Sequence, residues 1–230
     1  MSSIKPFFDA AHAEIYDRHF DALRAIKDSL HLLLRVALGG LPADARVLVA
    51  GAGTGAEVRF LAPLAPGWRF TLVDTSDAML AVARRHAETE GFVERCTFHH
   101  GPVSSLSLDP HDAATSVLVS HFLTDAGERQ AFFADISARL KGGGPLFSAD
   151  LSVESGSPQL GPLIDLWLGL MQSTLSPPTD GGASYRASFG RDFAAQGTSE
   201  VEAMIANAGF EAPIGCFQFA LIRAWVTRKR

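Results

Sequence analysis

The sequence predicts an α/β protein built on a mostly parallel sheet with helices on both faces. Three observations predict it. After residue 45, short apolar runs alternate with segments of helical period, the mark of successive strand–helix–strand units. The runs are apolar almost continuously, as strands covered on both faces must be. The first run, "RVLVAG", opens straight into the glycine-spaced "GAGTGAEV", at the strand end where open α/β sheets bind ligands.

The elements follow in order. "RVLVAG" is strand one and "AEVRFLAPL" a short helix stopped near Pro63. "RFTLVD" is strand two. "SDAMLAVARRHAETEG" is a helix with Ser76 or Asp77 as its cap and Gly91 past its end. "CTFHH" and "AATSVLVSHFL" are strands three and four. "DAGERQAFFADISARLKGGG" is a helix with acid first, base last and a glycine stop. "PLFSADL" is strand five. "TSEVEAMIANAGF" is a capped helix, and "APIGCFQF" with "LIRAWVTRK" makes a closing hairpin.

Two regions stand outside the alternation. Residues 4–38 read as helices ahead of the sheet, with "LRAIKDSLHLLLRVAL" strongly amphipathic. Residues 152–198 begin with the helical "PQLGPLIDLWLGLMQSTL" and continue through "SPPTDGGASYRASFGRDFAAQ". A loop of that length and composition reads as a lid or a disordered segment. The expected organisation is one domain over 1–230: a helical cap (1–44), a ligand-binding half (45–151), an inserted helix and lid (152–198), and a C-terminal helix and hairpin (199–230).

Bulk properties exclude several classes. The formal charge is -5, and Lys and Arg cluster only at Arg228, Lys229 and Arg230, which argues against nucleic acid as a partner. No apolar run reaches membrane-spanning length. The two cysteines, Cys96 and Cys216, form neither a metal pattern nor a disulfide framework, and read as reduced thiols. The first residues lack the form of a signal peptide, so a cytoplasmic location is expected.

Glycine allows positive φ and close approach of a ligand to the backbone, and the following helix offers free N–H groups. There is no GK[ST], so the loop is not a Walker loop. Gly51, Gly53 and Ala56 satisfy G-x-G-x-x-A. Asp74 ends strand two, where an acid accepts hydrogen bonds from ribose hydroxyls. Both NAD and S-adenosylmethionine carry such a ribose. The alternative is an Asp that caps the next helix and meets no ligand.

"VLVAGAGTGAEV", "LVDTSDAMLAVARR", "VLVSHFL", "LKGGGPLFSADL" and "MIANAGF" resemble, in order and spacing, the class I S-adenosylmethionine-dependent methyltransferases. The resemblance spans roughly residues 45–228. It implies a Rossmann-like sheet of seven strands ending in an antiparallel hairpin, with S-adenosyl-L-methionine as cofactor. It implies that Gly51, Ala52, Gly53 and Gly55 line the methionine part, that Asp74 holds the ribose with Thr75 beside it, and that Met79 lies near the adenine. Ser120 and His121 would flank the sulfonium side.

Two positions depart from the family. Val49 stands where such loops carry an acid that helps position the cofactor's amino group. Pro102 stands where an Asp binds the adenine amine, leaving the backbone N–H of Val103 to meet the ring.

Methyl transfer from a sulfonium depends mainly on in-line alignment, and a base is needed only when the acceptor must lose a proton. His121 is the candidate base; packing or a backbone contact is the other reading. Tyr16 and His19, in "EIYDRHFDAL", resemble a helix that covers the cofactor in small-molecule methyltransferases. Trp167 and Met171 on the inserted helix are candidates for an apolar substrate pocket, with core contact as the alternative, and "DLWLGLM" is also suited to a homodimer contact. His12, His31, His86 and His111 read as helix-surface or loop residues, and no metal ligands are legible.

The tail and "HFLTDAGERQAFFADISARLKGGGPLFSADL" are also similar to the carboxy-S-adenosylmethionine synthase branch. There an Arg binds a carboxylate, and Arg186 falls on that position, in what reads as a mobile loop. The leading expectation is methyl transfer to a small molecule, with no nucleic acid or membrane partner. Carboxy-S-adenosylmethionine synthesis, non-catalytic cofactor binding and nicotinamide chemistry are the rivals.

Overall fold

The computed structural model describes residues 13, 23–154, 156–172, 183–189 and 191–230. Its strands are β1 (Arg46–Ala50), β2 (Arg69–Asp74), β3 (Cys96–His100), β4 (Ala113–Val117), β5 (Pro145–Leu151), β6 (Ile214–Phe219) and β7 (Ile222–Arg228). The helices between them are α1 (Arg24–Ala37), α2 (Ala56–Leu61), α3 (Asp77–Thr89), α4 (Ala126–Ala138), α5 (Leu160–Gln172), α6 (Ala183–Ser188) and α7 (Thr198–Asn207). The strands form one seven-stranded sheet in the order β3-β2-β1-β4-β5-β7-β6. The first five are parallel, and β7 runs antiparallel to both β5 and β6. This is the Rossmann-like arrangement that the alternation of elements predicts. The order reverses beside β1, so the carboxyl ends of β1 and β4 diverge into a crevice.

Alternate residues of β1 serve opposite core layers. Val47 and Val49 join Leu30 and Leu34 of α1, Val58 of α2 and Phe147. Leu48 and Ala50 join Phe133 and Ile136 of α4, Val201 and Ile205 of α7, and Trp225. Burial of Ile26, Leu30 and Leu34 on one face of α1 matches its amphipathic period. Ser76 caps α3 through a bond accepted from Met79 N, and Asp125 caps α4 in the same way from Glu128 N.

Four expectations need correction. β4 ends at Val117 instead of running on to Leu123, because Leu118 takes a positive φ of 59° and Ser120–Phe122 is a 3-10 turn. The stretch after the inserted helix is not loop throughout: α6 lies within it, and Val153 N donates to Gln196 O at 3.1 Å, joining the two ends of the inserted segment. His31 is buried and stacked on Phe60, ring centroids 5.1 Å apart, and burial with Lys27 nearby pushes its pKa down to about 4. His111 is buried too, with its ring nitrogens against Arg139 O and Thr71 Oγ1.

The basic C-terminus has a structural use. Arg228 Nη1, Lys229 Nζ and Arg230 Nε donate to the carbonyls of Gly143, Leu140 and Phe210. Among the described residues, no helix is long and apolar enough to cross a membrane.

Phe147, on β5 between β4 and β7, has no exposed surface. Phe147→Ala is expected to cost about 3–5 kcal/mol of unfolding free energy, measured by chemical denaturation, because the surrounding layer cannot collapse into the space.

Candidate functional site

The three glycines of the loop differ in what requires them. All have positive φ: 75° at Gly51, 52° at Gly53 and 82° at Gly55. A Cβ on Gly51 would lie no more than 3.0 Å from three atoms of the Val119 side chain. Gly51 therefore lets the turn after β4 close against the loop. A Cβ on Gly55 would lie 3.3 Å from Ala83 of α3, so that glycine lets two helices approach. A Cβ on Gly53 would meet nothing within 4 Å. Gly53 is the one of the three whose bare backbone faces open space.

Asp74 closes the other side of the loop. Its Oδ2 accepts from Gly53 N and its Oδ1 from Ser76 N, both at 2.8 Å. The carboxylate keeps acceptor capacity beyond these bonds for a hydroxyl. Burial raises its pKa, opposed by the N–H groups of Ser76, Gly53 and Thr75.

A second carboxylate organises the adjoining strand ends. Asp150, near the end of β5, and Arg129, on α4, have no exposed surface. Asp150 Oδ2 accepts from the Ser120 hydroxyl and from Arg129 Nη2 at 3.0 Å. Its Oδ1 faces His121 Nδ1 and accepts from the backbone N–H groups of His121 and Leu151. Arg129 reaches on to Ser120 Oγ at 2.8 Å and Gln196 Oε1 at 3.1 Å. Burial alone would raise the Asp150 pKa; the Arg129 guanidinium and the His121 imidazole outweigh it and hold the carboxyl down at about 2. With Nδ1–H given to the carboxylate, Nε2 is the basic nitrogen of His121. Phe122 and Phe193 border that ring, at centroid distances of 4.3 and 6.5 Å.

The residues singled out from sequence fall into three groups. Gly51, Ala52, Gly53, Gly55, Asp74 and Thr75 share the loop and the β2 end. His121 follows two residues after Val119, whose side chain packs on Gly51. The side chains of the second group also pack within the fold. The Ser120 hydroxyl donates to Asp150 and accepts from Arg129. Met79 packs with Ala13 and Val82, Val103 lies in the α4/α7 layer, and Trp167 lies in the opposite layer with Ile164 and Leu168. The indole N–H of Trp167 is buried without a partner among the described residues. Arg186 belongs to α6, not to a loop, and its guanidinium forms a surface ion pair with Asp165. The third group escapes description: Tyr16 and His19 lie outside the described residues, as does the side chain of Met171.

Asp150, Arg129 and Glu57 were not foreseen. The available signal was an acid inside the otherwise apolar "PLFSADL", since a buried charge requires a partner. Glu57, on α2, is 5% exposed; burial pushes its pKa up to about 7, against its own backbone N–H and Lys27, with Asp74 adding to the rise. Among the described residues, no group of three or more His, Cys, Asp or Glu is placed to hold a metal ion.

Residues 47–144 match the model of a family described as a methyltransferase domain. The chain has the fold of a methyltransferase. A Nostoc punctiforme protein described provisionally as an O-methyltransferase superposes with a TM-score of 0.70 at 18% identity, over 96% of this chain and 59% of its own. An O-methyltransferase family 2 protein of Planctomyces limnophilus, solved in complex with apigenin, gives 0.61 at 21% identity, over 91% and 61%. Mitomycin 7-O-methyltransferase gives 0.61 at 20%, over 88% and 54%. This chain thus spans about three fifths of the length of these methyltransferases. No curated protein matches the sequence. Neither the domain match nor these structures show the carboxy-S-adenosylmethionine synthase branch.

Asp150→Asn should cost about 3–5 kcal/mol in denaturant unfolding, since it leaves the buried Arg129 charge uncompensated. The folded Asp150 pKa lies below its unfolded value. Its contribution is therefore complete above the unfolded carboxyl pKa and lost as pH falls toward 2. Asp150→Asn should flatten that part of the acid-unfolding curve.

Proposed function

We propose that this protein is an S-adenosylmethionine-dependent methyltransferase acting on a hydroxyl group of a small molecule, with His121 as the general base. The observation that carries the reading is the pairing of His121 Nδ1 with a buried carboxylate, two residues after Val119, whose side chain closes on Gly51 of the glycine loop. An imidazole oriented in this way presents Nε2 as an acceptor for a proton. The methyltransferase domain match and the solved neighbours support the donor. Apigenin in one neighbour and mitomycin in the name of another support a small-molecule acceptor.

The residues present fit the donor. Gly53 leaves its backbone open to a ligand, and Asp74 retains acceptor sites for ribose hydroxyls. Gly51, Ala52, Gly53 and Gly55 would hold the methionyl end, Asp74 and Thr75 the ribose, and Met79 and Val103 the side of the adenine. When bound, S-adenosylmethionine supplies an electrophilic methyl carbon on a sulfonium.

The chain does the rest. His121 Nε2 takes the proton of the acceptor hydroxyl as the oxygen becomes a nucleophile. Asp150 stabilises the imidazolium that results and holds its plane. His121 is 6% exposed, and Phe122 and Phe193 beside its ring help exclude water from the base. Arg186, paired with Asp165 on the surface, gives no support to a carboxylate-binding role.

His121→Ala should lower kcat with a hydroxyl acceptor by about 10²–10⁴-fold and leave calorimetric affinity for S-adenosylhomocysteine unchanged. Equal loss of both would remove His121 from the chemistry. Gly53→Ala should still fold, losing about 1–2 kcal/mol to its positive φ of 52° but clashing with nothing, since its Cβ meets no atom within 4 Å, yet lose S-adenosylhomocysteine binding. Retained binding would place the ligand elsewhere. Gly51→Ala, whose Cβ would collide with Val119, should instead lose about 1–3 kcal/mol of stability in denaturant unfolding.

A further inference from the structure

Glu57 is the second residue of α2, four positions beyond Gly53. The side chain is buried at 5% exposure, and no salt bridge holds its carboxylate among the described residues. Its own backbone N–H is the hydrogen-bond donor recorded for it, and Lys27 of α1 and Asp74 of β2 act on it through space. A carboxylate buried in this state is costly. Beside a loop that is open to a ligand, it is complementary to a cation that arrives with that ligand.

Position 49 strengthens the case. The loop resembles those that carry an acid there, and this chain has Val49. The valine is fully buried in the layer that holds Val58 and Leu61 of α2. β1 thus offers the loop no acid at position 49, while the helix packed on the same layer carries a buried acid with no salt-bridge partner among the described residues. S-adenosylmethionine and S-adenosylhomocysteine end in an α-ammonium group, which can donate charge-assisted hydrogen bonds.

We propose that Glu57 receives the α-ammonium group of the methyl donor, supplying from α2 the contact that an acid at position 49 would supply from β1. This rests on the reading of the glycine loop as the donor site. The ligand class follows: nucleoside sulfoniums or thioethers that keep a free α-amino acid end are favoured over those without it.

The test is calorimetric titration of wild type and Glu57→Gln with two ligands, S-adenosylhomocysteine and 5′-methylthioadenosine. The second has the same adenosine and no amino-acid end. Glu57→Gln should weaken S-adenosylhomocysteine by about ten- to a hundredfold and leave 5′-methylthioadenosine unchanged. Its thermal midpoint near pH 8 should equal or exceed that of wild type, because a raised folded pKa costs stability as pH rises through it.

Glu57→Asp, which keeps the charge, should weaken S-adenosylhomocysteine less than Glu57→Gln, and it serves alone if the amide variant does not fold. An S-adenosylhomocysteine affinity within about twofold of wild type in Glu57→Gln overturns the proposal and leaves the donor site intact. Equal weakening of both ligands overturns it as well, since the glutamate would then be shaping the loop. A wild-type protein that binds neither ligand overturns the donor reading itself, and this proposal with it.

Discussion

A buried carboxylate that must not be left alone shapes the ligand-facing edge of the sheet. Asp150 has no exposed surface, and an isolated ion there would cost several kcal/mol. Donors therefore converge on it from the turn after β4, from α4 and from β5 itself. Arg129 extends the network to Gln196, at the return of the inserted segment. With Ser120 and His121 directed at Asp150, the chain cannot continue as a strand beyond Val117. The positive φ of Leu118 and the 3-10 turn that follows satisfy this demand. The same turn presses Val119 onto Gly51, so one charge fixes where His121 lies relative to the glycine loop.

Three carboxylates near this edge illustrate how environment divides one chemistry into several. Asp150, with a guanidinium and an imidazole beside it, is held ionised far into acid. Asp74 is raised by burial, yet three backbone N–H groups oppose the rise. Glu57, with burial dominant and its own N–H as donor, is raised to about 7. The first serves to orient, the second retains acceptor sites for neutral hydroxyls, and the third is matched to a cation. Separation of this kind is characteristic of functional sites, and it occurs here around the loop whose Gly53 faces open space.

The fold was legible in the sequence to a large degree. Strands β1 to β3 and β5, helices α3, α4 and α7, and the closing hairpin fall where periodicity and turn residues place them. β4 was read too long, since apolar side chains run past its end in "VLVSHFL" and periodicity does not register a single left-handed residue. His31 and His111 were read as surface residues, because a histidine in a polar local context carries no mark of its burial. In the site, the glycines and Asp74 were legible from spacing. Arg129 was not, because "DAGERQAFF" looks like the solvated start of an amphipathic helix.

The sequence by itself determined the order of elements, the position of the tight turn and the acid at the end of β2. These are local properties, carried by side-chain period and by the freedom of glycine. The tertiary structure decided which charges are buried and against what. Arg129 meets Asp150 across 21 residues of chain and Gln196 across 67, and no local pattern records such a meeting. Burial then decides the chemistry. The energy of a charge depends on the medium and the partners that folding brings to it, and neither exists until the chain has closed.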